Sequence, residues 1–396
     1  MARTDAAPHL DPYAYAFHED PYPVYAALRR HAPVYRNDAL DFFALSRHAD
    51  VLAGFRDTER FSNASGVSLD PASWGPAARV AMSFLAMDPP QHTRMRALVS
   101  RGFTPRRVAA LEPRIREIAV AHLDACAGRD RIDAVDDLAG RLPMDVVSEM
   151  LGVPEPDRAE LRRSADLLVH REEGRRDVPA EGVRAFAAIR TYFTDLIAQR
   201  RRRPADDLLS ALLVAELGGD RLGDADILSF CNLMIVAGNE TTTKLIANAL
   251  YWLWRHPAER ALVRADPALI PAWIEETLRY DNSSQILARV LTAPVTVRGT
   301  RMPAGSRVLL LVGSANRDEE VFPNASAFDI RRDTSEMVSF GRGAHFCMGA
   351  ALARLEARVA LEEWWRRHPD YEVDQAGAVR VHSVNVRGFA RLPVKV

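Results

Sequence analysis

Cysteine is scarce in this chain of 396 residues: Cys126, Cys231 and Cys347 are the only three. An odd, sparse set excludes a disulfide framework and fits a reducing compartment. Neither C-x-x-C nor H-E-x-x-H spacing occurs, which removes the common zinc sites. Lysine is scarcer still. Lys244 and Lys395 are the only two, so the 52 basic residues are nearly all arginine, a bias that suggests a GC-rich bacterial genome. Excess charge is missing too: 53 acidic residues leave a formal net charge of -1. That gives no global electrostatic reason to bind nucleic acid or a membrane. No apolar run is long enough to span a bilayer, and residues 1–23 are polar and dotted with proline rather than built like a signal peptide. The expectation is a cytoplasmic protein with no nucleic-acid partner and no membrane partner. Internal repeats and Gly/Ser/Pro linkers are lacking as well, which favours one large domain over residues 1–396.

What is present is ordinary globular composition, 48% hydrophobic and 27% charged, so a sizeable core can be buried. Residues 20–32 read as a helix, followed by short strands near Val34 and Phe43. Residues 66–87 are aperiodic and rich in Ser, Pro and Ala, which predicts a long loop of the kind used as a lid. From Pro89 to about Leu217 the pattern is mostly amphipathic helix, broken at Pro105, Gly128, Pro154 and Gly174. Residues 224–256 form the longest helical stretch, apolar on most faces and therefore central, with Pro257 as its stop. Residues 287–311 carry β-branched, turn-separated runs, 313–339 are irregular, and 350–368 are again helical. The fold class is mainly α with a minor β part, in small sheets at 33–46, 287–311 and 371–396.

Chemistry concentrates near the C-terminus. Phe340-Gly341-Arg342-Gly343-Ala344-His345-Phe346-Cys347-Met348-Gly349 runs straight into a helical segment. Glycines there permit tight or left-handed backbone, so several N–H groups can aim at one sulfur. The following helix N-terminus favours an anion and lowers a thiol pKa. A thiolate metal ligand needs that environment. A dinucleotide loop is excluded, because the third glycine of G-x-G-x-x-G is replaced by Phe346 and no βαβ unit surrounds it. The long helix carries a second anomaly, Ala237-Gly238-Asn239-Glu240-Thr241-Thr242. Gly costs about 1 kcal/mol against Ala in mid-helix, and a buried carboxylate costs more unless paired. Thr can bond its hydroxyl to the preceding turn and open the helix slightly. Gly238 lets a planar group approach.

The cysteine segment resembles the haem-ligand loop of the cytochrome P-450 family at every fixed position, and the hexapeptide resembles the family's oxygen-binding groove. The motifs keep the family order from residue 88 to residue 349, so the resemblance covers nearly the whole chain. It implies the P-450 fold of the soluble bacterial, actinobacterial type, with haem b between the long helix and the cysteine loop. By it, Cys347 is the axial iron ligand, Phe340 flanks the haem, Thr241 hydrogen-bonds iron-bound dioxygen, and Glu240 relays protons. His92 and Arg96 lie at i and i+4 on one helix face. With Arg289 and His345 they occupy the family's positions for pairing the haem carboxylates, a task that suits arginine. Glu276 and Arg279, with Arg332 as the third member, match the family's structural clamp.

The implied activity is that of a monooxygenase with dioxygen as co-substrate. NAD(P)H serves indirectly, because nicotinamide and flavin motifs are missing and electrons must come from a ferredoxin and its reductase. Arg101, Arg106, Arg107, Arg342 and Arg354 are candidates for the ferredoxin face. Substrate walls are expected from residues 66–87 and 168–190, with Val236, Ile286, Leu287 and Val384. Asp281-Asn282-Ser283-Ser284-Gln285 stands where many relatives carry a proline pair, which argues for a substrate that is not purely hydrocarbon. Hydroxylation of a small secondary metabolite, polyketide-like, is the leading expectation. Arg171, Arg175, Arg176 and Arg184 near the lid are candidates for docking an acyl carrier protein that bears it. A haem peroxygenase or isomerase and a non-catalytic haem sensor are the alternatives.

Overall fold

A computed structural model describes residues 8–71, 74–217 and 219–396. Ten helices frame it: α1 Tyr22–His31, α2 His48–Arg56, α3 Gln91–Val99, α4 Glu112–Asp124, α5 Leu142–Leu151, α6 Glu155–Val169, α7 Ala180–Arg202, α8 Asp224–Arg255, α9 Ile270–Tyr280 and α10 Ala350–Arg367. The longest, α8, has 32 residues and so runs for about 48 Å. Asp224 and Asp226 occupy its first turn and Arg255 its last, each opposing the helix dipole. Pro257 begins the next helix and enforces the stop. Helices α5, α6, α7, α9 and α10 all pack against α8. Its buried apolar residues, from Ile227 through Leu253, therefore lie in the largest core cluster. The Trp273 indole of α9 donates to the Ala249 carbonyl at 3.0 Å and fastens the two helices.

The expected sheets at 33–46 and 287–311 are one sheet. Strands β1 Val34–Asn37, β2 Phe42–Leu45, β3 Phe61–Ser62, β4 Ile286–Leu291 and β5 Arg307–Leu311 align in the order β1-β2-β5-β4-β3. β5 is parallel to β2 and antiparallel to β4, so Leu309 faces Ala44 on one side and Ala288 on the other. A pairing across more than 260 residues leaves no trace in local periodicity. Strands Glu372–Val373 and Pro393–Lys395 likewise join Arg131–Asp133, a strand inside the stretch read as helical.

The loop expected over 66–87 is only partly a loop. It holds a helix, Ala78–Met82, between two 3-10 turns, Gly75–Ala77 and Ser83–Ala86; Ala72 and Ser73 lie outside the described residues. Among the described residues no helix is long and apolar enough to cross a membrane.

Candidate active site

A cavity of about 1450 Å³, counting space open to solvent, lies between α8 and the 340–349 loop. On the α8 side it is lined by Phe230, Leu233, Met234, Ala237, Gly238, Thr241, Thr242 and Leu245. These recur at three and four residues, so they form one stripe of the helix. A Cβ on Gly238 would come within 3.0 Å of a Val147 methyl, so this glycine also admits α5. Thr241 Oγ1 donates to the Ala237 carbonyl at 2.8 Å, the expected back-bond. The Thr241 carbonyl in turn accepts from Ser283 Oγ at 2.7 Å. With its proton spent on Ala237, the Thr241 hydroxyl offers the cavity its lone pairs.

Cys347 lines the opposite wall. Gly341 and Gly343 take φ of 68° and 71°, a left-handed backbone that L side chains avoid. At Gly343 a Cβ would lie 2.9 Å from the Phe55 carbonyl, so a side chain is excluded twice over. The loop is closed by the Cys347 N–H donating to the Phe340 carbonyl at 2.8 Å. Backbone N–H groups of Gly349 and Ala350 reach the sulfur. The expected fall in thiol pKa is outweighed: removal from bulk water raises it, against the Gly349 N–H, Arg96, Arg354 and the Ala350 N–H. A metal cation at the sulfur reverses that balance. The thiol is thus a poor free nucleophile and a suitable ligand.

Beside it lie two arginines, Arg96 and Arg289, and two histidines, His92 and His345. Arg289 is buried, and among the described residues its one hydrogen bond is to the neighbouring Ala288 carbonyl at 2.8 Å. Burial pushes it down to about 10, with Asp88 opposing. Arg96 donates to the Phe346 carbonyl at 2.6 Å, and burial lowers it too. The His92 and His345 rings meet at 3.9 Å. Among the described residues, no ring nitrogen of either makes a hydrogen bond of normal geometry. Burial and Arg96 push His92 down to about 4; burial, His92 and the two arginines push His345 to about 2. Buried donors of this kind are costly unless paired. Two carboxylates of a bound group would pair them, so these residues fit haem.

The structure also brings together the expected clamp. Arg279 is fully buried and bidentate to Glu276, both contacts at 2.7 Å. Its remaining donors meet the Asn316, Ala325 and Ala327 carbonyls. Glu276 accepts the Asp329 N–H, and Arg332 approaches it at 3.5 Å. Phe340 lines the cavity beneath the Arg354 guanidinium, 4.5 Å from the ring centroid.

Five expected residues are not on the cavity; one is His92, which is buried in ring contact with the lining His345. Val236 and Glu240 lie one turn apart on the face of α8 turned away from the lining stripe. Ile286 points to the opposite side of β4 from Leu287 and Arg289, which do line it, because strand side chains alternate. Val384 packs with Ile286 and Leu69 in a separate core cluster. Glu240 instead meets Lys244 at 3.3 Å, both deeply buried. Of the true walls, Val67, Phe84 and Leu85 fall in the expected 66–87 stretch, no described residue of the expected 168–190 stretch lines the cavity, and Phe55, Phe103 and Glu356 were not singled out from the sequence. Glu356 is buried without a charge partner, and burial pushes it up to about 8.

Arg171 is not a docking residue. It is buried in a bidentate pair with Asp70, both contacts at 2.8 Å, while Arg175, Arg176 and Arg184 remain exposed. On the cysteine-loop side Arg101, Arg106 and Arg107 are exposed, whereas Arg354 is bound to Glu275 at 2.6 and 2.9 Å.

A cysteine loop with two left-handed glycines faces a threonine-lined helix groove, with Arg and His side chains at its edge, the donor set that a haem-thiolate site would need. The comparisons agree. The Cytochrome P450 family model matches residues 263–368. A cytochrome P450 of Mycobacterium tuberculosis numbered 123 is 57% identical over 98% of this chain and 96% of its own length. The cytochrome P450 monooxygenase PikC of Streptomyces venezuelae is 40% identical over 96% of this chain and 92% of its own. The solved structure of P450BioI, in complex with an acyl carrier protein ligated to hexadec-9Z-enoic acid, superposes with a TM-score of 0.88 and 31% identity, covering 96% of this chain and 98% of that one. The chain belongs to the cytochrome P450 family. It is a monooxygenase with haem b as cofactor, dioxygen as co-substrate and electrons drawn from NAD(P)H through redox partners.

Proposed function

We propose that the chain hydroxylates a C–H bond of a small, oxygen-bearing organic substrate in secondary metabolism. The observation that carries this reading is the cavity itself, apolar along Val67, Phe84, Leu85, Leu233 and Leu287 but polar at Asn282, Ser283 and Ser284. A mostly apolar pocket with a few placed polar groups is how proteins hold and orient such ligands. When bound, haem supplies the iron that takes up electrons and activates dioxygen. The residues supply the rest. Cys347 would hold the metal, while His92, Arg96, Arg289 and His345 would pair the two carboxylates. Thr241 presents an acceptor oxygen on the substrate side. Glu240 acts from behind the helix as a proton source, since it does not face the cavity.

A ferredoxin and its reductase are the proposed electron donors, docking on the exposed Arg101, Arg106 and Arg107. Support for an acyl carrier protein as a further partner comes from the P450BioI complex. Arg175, Arg176 and Arg184 are the arginines left to meet it, without Arg171.

The test is the carbon monoxide difference spectrum of the reduced protein beside Cys347→Ala, followed by titration with oxygenated and deoxygenated members of one macrolide or steroid pair. A strongly red-shifted Soret band lost in the variant, with tighter binding of the oxygenated member, is expected. A histidine-like band in well-folded wild type would sink the haem-thiolate reading. Equal affinity for the two members would sink the polar-substrate reading alone.

A further inference from the structure

Ser283 is held at two points, and together they fix where its hydroxyl points. Its carbonyl accepts the Arg387 N–H at 2.7 Å. Its Oγ donates to the Thr241 carbonyl of α8 at 2.7 Å, and the residue is only 5% exposed. The segment around it is tied to the same helix. Asn248 donates to the Asp281 carbonyl at 2.9 Å, and the Trp252 indole donates to the Asp281 carboxylate at 2.8 Å. Gln285 donates to the Asn282 carbonyl at 2.7 Å, and the Asn282 amide donates to the Ser284 carbonyl. Both amide groups are thus turned toward the segment itself.

A hydroxyl has one proton and two lone pairs. With its proton on the Thr241 carbonyl, Ser283 meets the cavity as an acceptor. Thr241 Oγ1, whose proton goes to Ala237, does the same. Thr242 and Ser284 line the cavity as well. Among the described residues no hydrogen bond fixes either of those hydroxyls, so each can rotate to donate or to accept. An oxygen that only accepts, beside others that can do either, matches a ligand hydroxyl, which donates one proton and accepts in return. A ketone or an ether is served by the adaptable hydroxyls but leaves the Ser283 lone pairs without a partner. Stranding a buried polar group costs affinity. An ammonium group fits less well. Among the described residues Glu356 is the only acid on the lining; it lies on α10 at the cysteine side, and burial pushes it up to about 8.

We propose that Ser283 is a specificity-determining residue, a fixed acceptor that selects substrates bearing a hydroxyl group over the corresponding ketones and ethers. The inference deepens the polar-substrate reading above and rests on it. It also gives the serine a reason to be there. A proline at this position would supply neither the bond to α8 nor an acceptor facing the cavity.

Three rigid cage compounds of nearly one size test the proposal: 2-adamantanol, 2-adamantanone and adamantane. Their binding to the ferrous carbon monoxide form of the holoprotein is measured by equilibrium dialysis, because carbon monoxide keeps alcohol oxygen off the iron. Affinities are corrected for the transfer of each probe from water to octanol. The alcohol is expected to bind roughly tenfold tighter than the ketone, the size of one net hydrogen bond. Ser283→Ala should remove that preference, and Ser283→Thr should keep it. Equal or tighter binding of the ketone, with both oxygenated probes above adamantane, overturns the inference and leaves the polar-substrate reading standing. Equal binding of all three sinks that reading, and the inference with it. An alcohol preference that survives in Ser283→Ala overturns the role of Ser283. A weakening shared equally by alcohol and ketone in that variant overturns it too, since the bond to α8 would then be structural only.

Discussion

Arg289 and Arg279 are both buried arginines, and they illustrate opposite uses of one side chain. Arg279 spends its donors on Glu276 and three carbonyls, which makes it part of the framework. Removing one member of such a buried pair strands the other, typically at a cost of about 3–5 kcal/mol. Arg279→Ala should therefore lower the urea midpoint by most of the protein's stability, or prevent folding. Arg289 donates to one backbone carbonyl among the described residues, and an anion such as a haem carboxylate would pair it. Charge-assisted hydrogen bonds contribute about 1.5–3 kcal/mol, so Arg289→Leu should weaken haem retention roughly ten- to a hundredfold, measured by transfer to apomyoglobin. The apoprotein should lose no stability, since the variant removes an unpaired buried charge. A destabilised apoprotein with normal haem retention would reverse this assignment. The two roles were distinguishable in the sequence only through motif spacing, because arginine is so abundant here.

At the scale of elements, what was legible depended on whether the physics was local. α8 stood out because 32 residues pair apolar faces with acids at the start and a proline stop at the end. The cysteine loop was legible because left-handed glycines admit so few substitutes. Face assignments within those elements were harder. Val236 and Ile286 sit beside true lining residues in sequence, yet helical phase and strand alternation turn them away. The five-stranded sheet and the lid were illegible for another reason: they are held by contacts distant in sequence. Arg171 joins Asp70 across 101 residues, and its backbone is tied to His382 and Tyr15. Asp70 also accepts from Ser68, in the same loop as the cavity-lining Val67. This pair straps the segment that carries the cavity-lining Val67 to residues 168–178, which do not themselves line the cavity. Asp70→Asn should raise hydrogen exchange in residues 66–71 and 168–178 selectively, leaving the α8 core protected. Uniform loosening of the whole protein would show that the pair is part of the framework rather than a strap.

For the molecule as a whole, the arginine and histidine groups beside the cysteine loop make stability depend on both pH and cofactor. His92 titrates at 6.5 in an unfolded chain but at about 4 in the fold, where burial and Arg96 disfavour its cation. Between those values the unfolded state binds the extra proton, so stability rises with pH there and is lost as pH falls from 6.5 towards 4. At about 1.4 kcal/mol for each pKa unit, the loss from this one residue is on the order of 3 kcal/mol. Haem changes the sign of the neighbourhood. Its carboxylates would pair with Arg96, Arg289 and the imidazoles, and a nearby anion favours the protonated ring. The apoprotein should therefore lose thermal stability steeply between pH 7 and pH 5, and the holoprotein much less. His92→Gln should make the apoprotein curve shallower, with the remaining slope carried by His345, while leaving the holoprotein curve nearly as it was. Calorimetric scans of the four samples across that range decide the matter, and parallel curves for apo and holo protein would place the haem carboxylates away from His92.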